Sequence, residues 1–134
     1  MEIAQIIHLG ELRTEAVHLL SKKQIVTDAP SDNNGKGAAF SPTDLMSTSL
    51  GCCAMTIMGI VAERNNIDLK GTKIKVTKIM ESNPRRVSEI VLEFLFRTTY
   101  SEKEKALLEN AAKTCPVAKS LSSDLKQTMI FTYP

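Results

Sequence analysis

The chain has 134 residues, with 17 Lys and Arg against 15 Asp and Glu and a formal net charge of +2. That length suits one domain, 1–134, and 43% hydrophobic with 24% charged residues is the make-up of a folded globular protein. So even a charge balance excludes a general nucleic-acid grip, 4% aromatics without Trp excludes a base-stacking platform, and three cysteines, two of them adjacent, exclude the disulfide framework of a small secreted module.

Nothing near Met1 reads as a secretory signal, so a reducing cytoplasm is expected. Glu2 to Leu9 is rich in Ile and reads as a strand. Gly10-Glu11 turns it into a second strand over Leu12 to Leu20, where Leu12, Thr14, Ala16, His18 and Leu20 alternate with Arg13, Glu15, Val17 and Leu19. Ser21-Lys22-Lys23 leads to a third, Gln24 to Thr27. Asp28 to Ser41 is the one long loop, punctuated by Pro30, Asp32, Asn33, Asn34, Gly35 and Gly37, and loops of this length often serve function.

Ser41-Pro42-Thr43-Asp44 marks a helix start. Ser can cap a free N–H, Pro loses nothing at the first helical position, and Asp complements the positive end of the dipole. The helix is expected from Pro42 to about Asn65, with Asn65-Asn66 as its stop. Between Asp44 and Glu63 no residue is charged, a stretch of roughly 18 residues that reaches the length of a membrane span. Ser47, Thr48, Ser49, Gly51, Thr56 and Gly59 dilute its hydropathy, and no polybasic flank orients it. A helix neutral all round belongs inside a protein core, so no membrane partner is expected.

Thr72 to Glu81 alternates Ile74, Val76 and Met80 with Lys73, Lys75 and Thr77, and Ser82-Asn83-Pro84 turns it into Arg85 to Thr99. Ser101-Glu102-Lys103-Glu104 opens a second helix through Leu107, Leu108 and Ala111. Thr114-Cys115-Pro116 breaks it and opens a short third helix to about Leu121, and Lys126 to Tyr133 closes the chain as a strand. The order βββ-α-ββ-α-α-β sets helices apart from an antiparallel sheet, which is an α+β arrangement.

The cysteines carry most of the chemistry. Cys52 and Cys53 lie mid-helix, where neighbours differ by about 100°, so they cannot both face one site. Cys53 shares a stripe with Met46, Ser49, Leu50, Ile57 and Ile60, and Cys52 with Leu45, Thr48, Thr56 and Gly59. Either can be plain packing, because free Cys behaves as a small hydrophobe. Cys115 precedes Pro116 and so stands at a helix N-cap, where exposed N–H groups favour a thiolate. Cys caps poorly beside Ser or Asp, so capping alone does not account for it. A mid-helix thiol with a second thiol at a cap suits an attacking and resolving pair.

Other chemistry has little support. His8 and His18 lack metal-ligand spacing, no GxSxG elbow exists, and Gly35-Lys36-Gly37 lacks the phosphate-loop frame, so no metal or cofactor is expected. Arg13, between Glu11 and Glu15, is either a solvated strand charge or a functional cation.

Phe40-Ser41-Pro42-Thr43-Asp44-Leu45, Leu50-Gly51-Cys52-Cys53 and Thr56-Ile57-Met58-Gly59-Ile60, followed by Cys115-Pro116-Val117-Ala118-Lys119-Ser120-Leu121, resemble the OsmC/Ohr family of osmotically induced and organic hydroperoxide resistance proteins. The resemblance covers nearly the whole chain. It implies an OsmC-like α+β fold, an antiparallel sheet packed on a long central Cys-bearing helix, in an intertwined homodimer with its site at the subunit interface. It further implies Cys53 as peroxidatic thiol, Cys115 as resolving thiol, Arg13 as the cation that stabilises the thiolate and Asp44 as the acid that holds Arg13. The implied activity is a cysteine-based peroxidase that reduces a small organic hydroperoxide and is recharged by an external dithiol. The alternative is a dimer that binds a small molecule or senses redox state without peroxidase turnover. The hydroperoxide-resistance branch usually has Glu directly after the helix-opening Pro and an aromatic after the catalytic Cys. Thr43 and Ala54 stand there here, which places the chain nearer the OsmC-like branch. Cys52 has no assigned role.

Overall fold

A computed structural model describes all 134 residues. They form two compact units, Met1–Met46 and Ser47–Pro134. The first holds strands β1 (Ala4–Gly10), β2 (Arg13–His18) and β3 (Gln24–Asp28) and a single 3-10 turn over Ser31–Asn33. Helix α1 (Pro42–Arg64) starts at its end. The second holds the rest of α1, β4 (Lys73–Glu81), β5 (Arg86–Leu95), α2 (Glu102–Lys113), α3 (Pro116–Ser120) and β6 (Lys126–Thr132).

In the first unit β1, β2 and β3 form an antiparallel sheet in chain order. The turn lies at Glu11-Leu12, one residue later than the sequence suggested, with φ of 55° and 63°. Gly10 pairs with Arg13, which leaves a two-residue loop, and such hairpins need both central residues at positive φ. Neighbouring Ile6 and Ile7 point to opposite sides of the sheet yet are 72% and 59% exposed. The loop after β3 folds back on its own start. Gly35 donates to the Pro30 carbonyl at 3.0 Å and Gly37 to the Ala29 carbonyl at 3.3 Å. A Cβ on Gly35 would sit 1.7 Å from the Ala29 oxygen, so only glycine fits there.

In the second unit the sheet order is β4-β5-β6. The expected purely antiparallel sheet is corrected here: β4 and β5 are antiparallel, whereas β6 runs parallel to β5. The α2–α3 segment between β5 and β6 is the crossover that a parallel pair requires. As the central strand, β5 carries the core: Ile90, Leu92 and Phe94 are fully buried. From α1, Leu50, Ala54, Met58 and Ala62 add a buried stripe at four-residue spacing. Each fully buried large side chain contributes about 1.5–3 kcal/mol. Gly51 lets α1 approach the sheet, since a Cβ there would meet Val76 Cγ2 at 3.3 Å.

The opposite side of α1 departs from expectation. The helix has a mean hydropathy of 1.7 over its most apolar window and is long enough to cross a membrane, but only 33% of that window is buried. Ser49, Cys52, Thr56 and Ile60 form an exposed, uncharged stripe. The sheet covers one side of a helix only, so a neutral sequence does not by itself secure burial all round.

Candidate thiol site

Pro116 explains where Cys115 sits. It disfavours helical dihedrals in the residue before it, and Cys115 is extended at φ −67° and ψ 153°, between α2 and α3. Its sulfur caps α3 by accepting the Ala118 N–H at 3.5 Å, and its carbonyl accepts from Lys119 at 3.1 Å. Cys115 is fully buried, and the Cys53 side chain on α1 lies near enough to act on its thiol. Burial foremost, with Cys53 adding to it, pushes the Cys115 thiol above its ordinary value, against the pull of the Ala118 N–H. Cys115 therefore stays S–H at neutral pH beside Cys53.

All three cysteines are free, and they differ in access: Cys52 exposed, Cys53 half-buried, Cys115 buried. Cys52 points elsewhere, as the 100° step requires. It lines an open apolar cavity of about 430 Å³ with Thr48, Gly51, Met55, Thr56, Ile74 and Val76.

Arg13 opens β2, and its guanidinium grips Asp28 through two bonds, Nε to Oδ1 at 2.8 Å and Nη2 to Oδ2 at 3.0 Å. The two are direct cross-strand partners. Asp28 is 1% exposed and also accepts the Ala38 N–H at 3.0 Å, which ties the long loop to the pair. The Arg13 hydrogen bond holds the Asp28 carboxyl below the usual carboxylate range despite its burial. Asp44 closes the start of α1: its carboxylate accepts the Ser41 N–H at 3.0 Å while Ser41 Oγ accepts the Asp44 N–H at 3.0 Å. His8 and His18 serve turns, Nδ1 of His8 accepting from the Gly10 N–H and Nδ1 of His18 bonding Ser21 Oγ.

A sequence profile of the OsmC-like protein family matches residues 35–129, well over half the chain. The chain belongs to the OsmC-like family. A crystal structure of a Psychrobacter arcticus protein, described as an osmotic stress induced and detoxification response protein, shares 48% identity with a TM-score of 0.95, over 98% of this chain and 96% of that one. An OsmC-like protein from Mycoplasma pneumoniae shares the fold at 22% identity and a TM-score of 0.82, over 97% of this chain and 94% of that one. An organic hydroperoxide resistance protein from Legionella pneumophila shares it at 15% identity and a TM-score of 0.77, over 98% of each chain. No curated protein matches.

In this OsmC-like chain the residue that sequence reasoning missed is Asp28. It was placed at the edge of a loop, whereas it ends β3 directly opposite Arg13. The available signal was register: counting back across the β2–β3 turn pairs Arg13 with Asp28, and opposite charges on such a pair attract.

Proposed function

We propose that this OsmC-like protein reduces small organic hydroperoxides with Cys53 as the attacking thiol and Cys115 as the resolving thiol. The observation that carries the reading is the nearness of these two thiols, one half-buried and one fully buried. A peroxide can reach only the more open of the two. The Cys53 thiolate attacks the O–O bond, becomes a sulfenic acid and releases an alcohol. Cys115 condenses with it, forming a disulfide and water, and an external dithiol restores both thiols. The family name borne by the Legionella protein supports the substrate class.

Arg13 is the cation assigned to the Cys53 thiolate, with Asp44 and Asp28 as the acids that set its position. The acting form is a cytoplasmic homodimer of one OsmC-like domain, 1–134. The exposed apolar strands of the first unit and the uncharged stripe of α1 support a second copy as their cover. Mapping thiol states by mass after one equivalent of tert-butyl hydroperoxide is the test. A Cys53–Cys115 disulfide is expected, and two thiols left free overturn the reading. Arg13→Ala is expected to slow hydroperoxide consumption, and an unchanged rate removes Arg13 from the site.

A further inference from the structure

The Cys115 sulfur serves two partners. It takes the Ala118 N–H at 3.5 Å as the cap of α3, and it has the Cys53 side chain as a neighbour. The residue also accepts the first backbone bond of α3, from Lys119. A covalent S–S bond is far shorter than any contact between free thiols, so joining the two sulfurs requires one of them to move. Cys53 is locked inside a helix of 23 residues, with Ala54 fully buried beside it. Cys115 stands at a joint between α2 and a helix of only five residues. The softer element yields, and the atom that moves is the one capping α3.

We propose that closing the Cys53–Cys115 disulfide uncaps α3, freeing the N–H group of Ala118, and that this loosening is what lets an external dithiol reach a sulfur buried in the reduced protein. The idea rests on the disulfide of the proposed function. The far end of α3 stays tied, because Gln127 Nε2 donates to the Ala118 carbonyl at 2.9 Å and the Leu121 N–H to the Val117 carbonyl at 3.2 Å. The change is therefore a fraying of the first turn and not a release of the helix. In the reduction, one dithiol sulfur attacks the protein disulfide and forms a mixed disulfide. Its second sulfur then displaces the protein, leaving Cys53 and Cys115 as thiols and the dithiol oxidised to its own disulfide. As Cys115 is restored, its sulfur returns to the Ala118 N–H and α3 closes.

Amide hydrogen exchange of Ala118, followed by NMR in the reduced and oxidised protein, decides the matter. Exchange about three- to tenfold faster in the disulfide form is expected, the size of effect a lost cap produces. Equal or slower exchange overturns the proposal. Two variants keep the result tied to the cap. Cys115→Ala removes cap and disulfide together and should exchange at the oxidised level even when reduced, while Cys115→Ser restores a better cap and should exchange slowly whatever oxidant is added. If Cys115→Ala exchanges as slowly as the reduced parent, the sulfur is no cap of consequence and the proposal falls. Should diamide form the disulfide where hydroperoxide does not, the peroxidase reading fails and exchange still judges α3. If no oxidant forms it, both fail.

Discussion

Two helices in this chain start on the same four-residue plan with different atoms. At α1 the plan is Ser41-Pro42-Thr43-Asp44, and a hydroxyl and a carboxylate exchange bonds with the backbone at 3.0 Å each. At α3 it is Cys115-Pro116-Val117-Ala118, and a lone sulfur meets one N–H at 3.5 Å, with no polar side chain at Ala118 to answer it. The first start leads 23 residues and the second five. Oxygen is much the better cap, so a buried sulfur at this position forgoes helix stability that Ser would supply. Placed against Cys53, it supplies chemistry that Ser cannot. On the proposed mechanism, the comparison teaches that α1 starts for the sake of folding and α3 for the sake of a reaction.

The largest way to break that contrast is to remove the other half of the thiol pair. Cys53→Ser is expected to bring hydroperoxide consumption down to the uncatalysed background, measured by loss of peroxide in the presence of a dithiol. Turnover that survives reassigns the attacking sulfur. A thermal melt belongs beside it, because Ser is close in volume to Cys and the fold should hold; an unfolded variant would make the activity loss uninformative, and Cys53→Ala then takes its place.

Much of this contrast was legible beforehand, because Pro is so restrictive. Pro42 and Pro116 each announce a helix start and force the residue before them to be extended, so Ser41 and Cys115 could be placed at caps from sequence alone. The order of strands and helices was legible from periodicity for the same reason: side-chain spacing is a local property. What lies across space was not. Lys126 to Tyr133 reads as a strand but carries no sign of its partner's direction, and so β6 was expected in an antiparallel sheet and runs parallel to β5. The Arg13–Asp28 pair depends on register, which a one-residue error in the Glu11-Leu12 turn obscures. The meeting of Cys53 with Cys115 came from resemblance to a family, since no spacing rule joins residues so far apart.

A smaller effect sharpens the comparison from the side of α1. Ser41→Cys gives this helix the same kind of cap as α3. Ser41 is buried, and losing its oxygen cap is expected to cost about 1 kcal/mol, read as a lower urea midpoint with an unchanged slope. A variant as stable as the parent would mean that sulfur caps as well as oxygen here, and the argument for chemistry at Cys115 loses its thermodynamic half.

Smaller still is a local response to acid in the loop that precedes Ser41. Asp28 is held below the ordinary carboxylate range by Arg13, so the folded state binds its proton less readily than the unfolded chain does. The stabilisation is therefore complete above the ordinary carboxylate range, near pH 4, and fades as pH falls through the depressed value. The reporter is the Ala38 amide, whose N–H is given to Asp28. Its exchange should stay slow through the ordinary range and quicken only below it. In Asp28→Asn the acid transition should vanish, and a transition that persists unchanged would belong to another carboxyl.

The least effect is expected at the third thiol, and it tests whether geometry or mere proximity in sequence chooses the reacting cysteine. Cys52 and Cys53 are adjacent, yet a step of about 100° turns Cys52 into an open apolar cavity with Thr48 and Thr56 while Cys53 meets Cys115. Buried Cys115, kept protonated, should be the last of the three to react with a neutral alkylating agent at pH 8. Cys52→Ser should leave both the rate and the yield of the Cys53–Cys115 disulfide unchanged. A slowed disulfide would show that the neighbouring thiol feeds the reaction. The helix would then be acting as a two-thiol relay, which its facing angles argue against.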